Sequence, residues 1–264
     1  MRYLILTTLM TLAAFAAMLP TSSVLAEGWG NVKGRFVYDG PAPKPVKLLI
    51  TSDKAICSKH APKDDSLLIG KDGSLANVVV YVYTKSTEKI DIHEDYEDLE
   101  DEEVVLNNTK CAFSPRVAVM WNKQKLVLKN SDTVAHNSKV DFFANPPFNV
   151  QIPAGASITK QLPKGEILPT RVSCGAHPWM RSILVVRSNP YVTVTDKNGK
   201  FELENVPEGD RKIQFWHEKW GYLSTLHIGG KKVAWKRGRA EVEIEDEETV
   251  DFGKIKLNPI DYKK

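Results

Sequence analysis

The chain of 264 residues is 42% hydrophobic, and its 36 basic and 33 acidic side chains leave a formal net charge of +3. This near balance argues against nucleic acid or another polyanion as a partner. The length is sufficient for one large β domain or two smaller ones, each with a substantial core.

The first 26 residues have the three parts of a secretory signal peptide. Arg2 supplies the positive charge, Leu4–Leu19 is apolar apart from threonines, and Val24 and Ala26 fit the small-residue rule for a cut after Ala26. An uncleaved membrane anchor is the alternative, because the apolar run approaches spanning length. We favour cleavage, which predicts a periplasmic or otherwise exported protein without a membrane span.

Strand signals dominate the first part of the mature chain. Alternation between flanking glycines predicts an edge-type strand over 30–40, and a second strand is predicted over 46–50 after a proline-rich break. The β-branched and aromatic run 76–83 predicts a third. Residues 91–103 carry nine carboxylates, which indicates a solvated loop. A docking surface for a basic redox partner is the less favoured alternative.

The middle of the chain holds four residues that can bind a soft metal. Short strands separated by Gly and Pro turns predict a β-sandwich or barrel there. Cys174, His177 and Met180 follow one another within a short turn before an apolar strand, and His136 stands well upstream of them. Two histidines, one cysteine and a weak axial methionine form the ligand set of a blue-copper site.

Each of these four residues also has an ordinary structural explanation. A lone buried histidine or methionine is usually part of a core, and a lone cysteine behaves as a small hydrophobic residue. Their joint occurrence, in this order and on this strand pattern, favours a metal site. Zinc fits less well than copper, because methionine is not among its usual ligands.

Residues 111–186 resemble the cupredoxins, and the short Cys-x-x-His-x-x-Met loop is similar to that of the amicyanin type. The resemblance implies a Greek-key β-sandwich with one type 1 copper and outer-sphere electron transfer. By matching positions, His136, Cys174 and His177 become the equatorial ligands and Met180 the axial one. The resemblance also places Trp179 beside an exposed edge of His177, as an apolar patch for electron entry.

Two neighbours of the predicted ligands are expected to tune the site. Asn137 is a candidate tether between the strand of His136 and the ligand loop. Pro178 removes one N–H donor close to His177 and keeps the loop compact.

The three cysteines of the chain are an odd number in a protein predicted to reach an oxidising compartment. If Cys174 binds the metal, Cys57 and Cys111 are left to form a disulfide. Three unrelated thiols are the alternative.

A second resemblance flanks the first. The segments 34–40 and 76–82 resemble the first half of a carboxypeptidase-regulatory, transthyretin-like β-sandwich, and 195–209 resembles its second half. The predicted class is therefore all-β, a cupredoxin β-sandwich inserted in a discontinuous transthyretin-like β-sandwich. In chain order, the predicted boundaries are the signal peptide 1–26, the first half of the transthyretin-like sandwich with an acidic linker 27–105, the cupredoxin domain 106–188, and the second half of the transthyretin-like sandwich with a C-terminal hairpin 189–264.

The hairpin is predicted because a basic cluster at 231–239 stands next to the acidic stretch 241–248. The combined arrangement is similar to exported bacterial cupredoxin-like proteins, some of them labelled methylamine-utilisation proteins. We do not infer methylamine oxidation from that label.

The predicted function is that of an electron carrier that is not itself an enzyme. No nucleophile elbow, His-Glu-x-x-His sequence or phosphate loop is present. The expected partner is a redox protein, which can be a dehydrogenase, a cytochrome or an oxidase. The alternatives are a copper chaperone or storage protein, and a non-catalytic surface module.

Overall fold

The computed structural model describes residues 28–85 and 88–262, so the predicted signal peptide lies outside the described residues. The described chain is nearly all β, which confirms the predicted class. Within these ranges, no helix is both long and apolar enough to cross a membrane.

The elements are listed here in chain order. The strands are β1 Trp29–Tyr38, β2 Val79–Val82, β3 Glu103–Thr109, β4 Ala112–Ser114, β5 Val117–Trp121, β6 Lys125–Asn130, β7 His136–Val140, β8 Phe148–Ile152, β9 Ser157–Gln161, β10 Thr170–Ser173, β11 Arg181–Arg187, β12 Val192–Val194, β13 Lys200–Pro207, β14 Gly209–His217, β15 Gly221–Tyr222, β16 Thr225–Ile228, β17 Lys231–Ala234, β18 Arg239–Ile244 and β19 Thr249–Leu257. The helical elements are α1 Lys54–Cys57 and the 3₁₀ turns Ser58–His60, Glu94–Asp101, Lys236–Gly238 and Pro259–Tyr262.

The strands form two pairs of sheets. In the first pair, the order β13-β1-β19-β16-β17 makes one sheet, and β12-β2-β14-β15, with β18 beside β14, makes the other. A shared apolar core joins these two sheets, and we call the pair the flanking sandwich. In the second pair, β5-β11-β10-β7-β8 packs on β4-β3-β6-β9 around a separate core. We call this pair, built from residues 103–187, the ligand sandwich.

The flanking sandwich is assembled from both ends of the described chain. β1 pairs antiparallel with β13 and parallel with β19, and β2 pairs antiparallel with β12 and β14. Each of these pairings joins strands that precede the ligand sandwich to strands that follow it. The relationship of these sheets to the transthyretin-like family stays a prediction.

The two sandwiches share a third apolar layer. Val79 and Tyr81 of β2 pack with Val117 of β5 and with Ile183 and Val185 of β11. The alternate residues of β2 and β11 face the core of their own sandwich. Both strands are therefore buried on both faces, which explains why their sequences are continuous apolar runs rather than alternating ones.

Three local predictions differ from the structure. The strand predicted as an edge over 30–40 is an interior strand, because β19 pairs with it from the far end of the chain. Residues 46–50 form no strand beyond one isolated bridge between Lys47 and Lys63, and Val46 and Leu49 are exposed. The predicted C-terminal hairpin is wrong, because β17 pairs with β16 whereas β18 pairs with β14 in the other sheet.

The acidic segment is more ordered than the predicted loop. Glu94–Asp101 forms a 3₁₀ turn whose carboxylates mostly face solvent. Tyr96 Oη donates to the Glu204 carbonyl over 2.7 Å, and Asp95 accepts from Asn205 Nδ2 over 2.7 Å. These contacts hold the segment against the flanking sandwich.

Candidate metal centre

The strand register places the predicted ligands at one end of the ligand sandwich. His136 is the first residue of β7, and Cys174 directly follows β10. β10 pairs with β7 on one side and with β11 on the other. The loop from Cys174 to Met180 therefore closes over the start of β7. The side chains of His136, Cys174, His177 and Met180 are all buried.

Three donor atoms converge in this buried space. His136 Nδ1 lies 2.9 Å from His177 Nδ1, and Cys174 Sγ lies 3.6 Å from His177 Nδ1. The three ligand atoms are all within 4.8 Å of one another. Two imidazole nitrogens and one sulfur thus face a common point, which is the arrangement that a metal ion requires.

The far nitrogen of each imidazole is bound by a carboxylate. Asp132 Oδ2 lies 2.9 Å from His136 Nε2, and Asp53 Oδ2 lies 2.8 Å from His177 Nε2. A carboxylate only accepts, so each Nε2 carries the proton and each Nδ1 keeps its lone pair. Histidines that bind metals in proteins commonly have this carboxylate partner, which fixes the tautomer and the ring orientation.

The facing lone pairs repel each other unless a cation lies between them. Burial lowers the pKa of His136, although the carboxylate of Asp132 acts in the opposite direction. The donor set of two nitrogens and a sulfur suits a soft or borderline metal such as copper. The residues present fit a copper ion.

Asn137 joins the strand of His136 to the ligand loop. Its backbone N–H points at Cys174 Sγ over 3.4 Å. Its side-chain Oδ1 accepts from the backbone N–H of Gly175 over 2.7 Å and of Ala176 over 3.3 Å. Cys174 is the free cysteine of the described chain. The Asn137 N–H therefore gives the sulfur a hydrogen-bond donor from the neighbouring strand.

Met180 closes the loop through its backbone. Its N–H donates to the His177 carbonyl over 2.8 Å, and its carbonyl accepts from the Cys174 N–H over 3.3 Å. The side chain is buried in the core of the ligand sandwich. Its role as an axial ligand stays a prediction.

The predicted exposed edge of His177 is wrong. His177 has 0% of its surface exposed, because Asp53 covers Nε2 and Trp179 packs edge-on at 5.0 Å between ring centroids. Trp179 does lie beside His177, but it is half-buried, and its Nε1 donates to the Cys111 carbonyl over 3.0 Å. Pro178 is exposed in the loop next to it.

The predicted disulfide is confirmed. Cys57 and Cys111 are bonded, with their Cα atoms 5.4 Å apart. Cys57 ends α1, and Asp53 directly precedes this helix in the left-handed region, with φ of 45°. The disulfide therefore ties the segment that carries Asp53 to the ligand sandwich. Cys111 also lies near Asp132 and His136, but its sulfur is oxidised and offers no thiolate there.

The two carboxylates were not predicted from the sequence. Asp132 stands four residues before His136 and also accepts the backbone N–H groups of Lys110 and Cys111. An acidic residue four positions before a predicted ligand is a signal that could have identified it. Asp53 lies 124 residues from His177, and no local pattern connects the two.

Comparisons with known proteins give a partial structural likeness. No family model matches the chain, and no curated protein matches it. One similar solved structure is a Cu-containing nitrite reductase from Thermus scotoductus, with 20% identity over 32% of this chain and 22% of that chain and a TM-score of 0.30. The chain therefore spans less than a quarter of that enzyme.

Two smaller copper proteins are also similar to part of the chain. A purple cupredoxin from Nitrosopumilus maritimus has 18% identity over 33% of this chain and 99% of its own length, with a TM-score of 0.27. Amicyanin from Paracoccus versutus has 16% identity over 41% of this chain and 97% of its own length, with a TM-score of 0.28. These values are low, and the function proposed below depends on the geometry of the His136, Cys174 and His177 cluster.

Proposed function

We propose that this protein is an exported one-electron carrier that binds a single type 1 copper. The observation that carries the proposal is the convergence of His136 Nδ1, His177 Nδ1 and Cys174 Sγ, all within 4.8 Å of one another. Copper, when bound, supplies a one-electron couple between Cu(I) and Cu(II). His136, His177, Cys174 and Met180 would hold it.

The surrounding chain performs three tasks for such a site. Asp132 and Asp53 orient the two imidazoles through their Nε2 atoms. Asn137 ties the loop to β7 and donates to the sulfur. The buried position of all three donors excludes water. A rigid, dry site changes little between two oxidation states, which favours electron transfer over chemistry on a substrate.

A copper chaperone or storage protein is a weaker candidate. Such a role requires donors that a second protein can reach and exchange. Here His136, Cys174 and His177 are between 0% and 2% exposed. The partner in our proposal is a redox protein that exchanges one electron with this site in the exported compartment.

The proposal is tested by adding Cu(II) to the purified mature protein. We expect one copper per chain, intense visible absorption from the thiolate and narrow copper hyperfine splitting in the EPR spectrum. Cys174→Ser is expected to abolish the absorption, and His177→Asn to weaken copper binding strongly.

His227→Asn is the matched control. His227 Nε2 is also bound to a carboxylate, Asp261 Oδ2 at 2.9 Å, but this pair lies in the flanking sandwich and belongs to no cluster of metal ligands among the described residues. The control should keep the full spectrum. A colourless protein with ordinary copper EPR parameters would contradict the proposal, as would an unchanged spectrum in Cys174→Ser.

A further inference from the structure

The route by which an electron reaches the cluster is set by what covers each donor. The outer edge of His177 is closed. Asp53 lies on Nε2 at 2.8 Å, and Trp179 packs against the ring. The Cys57–Cys111 disulfide fixes the segment that supplies Asp53. A partner that approaches from this side meets Asp53 and Trp179 rather than the imidazole.

The outer edge of His136 is closed as well. Its Nε2 is bound to Asp132, whose carboxylate is itself held by the backbone N–H groups of Lys110 and Cys111. The exposed fraction of the Asp132 side chain is only 8%. Neither imidazole therefore offers a free Nε2 to a partner.

The sulfur has a shorter way to the surface. Cys174 Sγ contacts the backbone N–H of Asn137 at 3.4 Å and its Oδ1 at 3.2 Å. Gly175 and Ala176, the next two residues, are exposed. Their N–H groups bind the same Asn137 oxygen. One residue thus separates the metal-binding sulfur from solvent on this side.

These residues belong to a shallow surface depression of about 450 Å³ that His136 also lines. Apart from His136, its lining consists of small and amide side chains, which we call the neutral face: Ala135, Asn137, Asn149, Gln151, Gly175 and Ala176. None of these six carries a charge. The nearest charged residue in the register of β7 is Lys139, which pairs with Asp141 at 3.2 Å.

The depression on the Trp179 side has the opposite character. Leu48 and Trp179 line it together with six charged residues: Asp64, Arg116, Arg171, Arg181, Glu218 and Lys219. Four of these charged groups are already paired, since Arg116 binds Glu218 and Lys219 lies 3.6 Å from Asp64. Charged groups that are already paired gain little from a partner and must be desolvated when it docks.

We propose that electrons enter and leave through the neutral face, by way of Asn137 and the Cys174–Gly175 backbone, and not through the His177 edge. This inference rests on the proposed function and names its docking surface. The partner is a one-electron redox protein with an uncharged docking face. One electron leaves the partner's redox centre and reaches the copper site, and no proton or other group is transferred.

The kinetic test uses hexacyanoferrate(III) as the oxidant of the Cu(I)-loaded protein, followed by stopped-flow absorption. At about 0.1 M ionic strength the Debye length is about 10 Å, so a new charge acts locally. Gln151→Lys is expected to raise the rate about threefold and Gln151→Glu to lower it about threefold, because the probe is an anion. Leu48→Lys and Leu48→Glu, on the Trp179 side, should leave the rate nearly unchanged.

A second readout needs no copper. In the metal-free protein, a neutral soluble nitroxide should broaden the amide NMR signals of Gly175 and Ala176 and leave the ring signals of His177 sharp. Equal broadening of the two sets would show that the His177 edge is open and would overturn the inference. So would rates that respond at Leu48 and not at Gln151. A protein that shows the expected protection but never develops the blue spectrum would instead contradict the proposed function.

Discussion

Buried histidines occur in both sandwiches, and they differ in what their ring nitrogens do. His136 and His177 each give Nε2 to a carboxylate and turn Nδ1 towards a shared point. His217, at the end of β14 in the flanking sandwich, is also fully buried, but its Nδ1 accepts the Lys219 N–H over 3.1 Å. Burial alone therefore does not make a histidine a ligand. A carboxylate on the far nitrogen and a free lone pair on the near one make the difference.

The largest expected effect comes from His217. Burial is the main cause that lowers the pKa of His217 to about 3; the Ala76 backbone opposes it, and the positive charges of Lys219 and Arg116 contribute in the same direction as burial. Between pH 6.5 and about 3 the unfolded chain binds a proton that the folded protein does not. Stability from this group is complete above pH 6.5 and is lost as the pH falls, by roughly 5 kcal/mol over the whole window.

Urea unfolding measured from pH 7 to pH 3 tests this value. His217→Phe removes the titrating group and keeps a ring against Trp220, which lies 4.7 Å from the native ring. The slope of unfolding free energy against pH should become markedly flatter in this variant than in the wild type and in His227→Asn. Equal slopes in all three proteins would contradict the lowered pKa of His217.

The second effect concerns the Cys57–Cys111 disulfide, which fixes the segment that carries Asp53. The disulfide joins residues 54 positions apart, and closing a loop of that length stabilises a fold by about 4 kcal/mol. Cys57→Ala/Cys111→Ala should lose about that amount in urea unfolding. Because Asp53 belongs to the tethered segment, the ring signals of His177 should become accessible to a soluble nitroxide, whereas those of His136 should stay protected. Protection of both rings would show that the position of Asp53 over His177 does not depend on the disulfide.

The smallest effects separate the two carboxylates. Asp132 accepts three hydrogen bonds and is 8% exposed, so Asp132→Ala leaves buried donors without partners and should cost about 3 kcal/mol. The Asp53 side chain is 46% exposed, so Asp53→Ala should cost only about 1 kcal/mol. Both variants should bind copper about 10- to 100-fold more weakly, measured by competition with a chelator. A larger loss of stability in Asp53→Ala would reverse this comparison.

Local sequence signals predicted the donor residues of the cluster but not the carboxylates bound to its two histidines. The spacing of Cys174, His177 and Met180 is encoded in one loop, and the strand pattern around it predicts where His136 lies. Asp53 covers Nε2 of His177, and only the tertiary fold brings these two residues together. The resemblance to small copper proteins therefore led to the wrong expectation of an exposed His177 edge.

The same limit applies to the strands. The run 76–83, predicted as a strand from its β-branched and aromatic residues, contains β2. The interior position of β1 depends on its pairing with β19, which is more than 200 residues away in sequence. The isolated apolar stretch 46–50 resembles a strand locally, but no neighbouring strand pairs along its length.

The apolar layer between the two sandwiches limits how far this protein can be treated as a set of exchangeable modules. A fragment of residues 103–187 would present Val117, Ile183 and Val185 to water. It would also lack Asp53, and Cys111 would have no disulfide partner. To transfer this sandwich to another chain, the apolar surface formed by these three residues would have to be redesigned. A new carboxylate for His177 Nε2 would also be needed. The ligand sandwich therefore depends on the flanking sandwich and on the segment that carries Asp53.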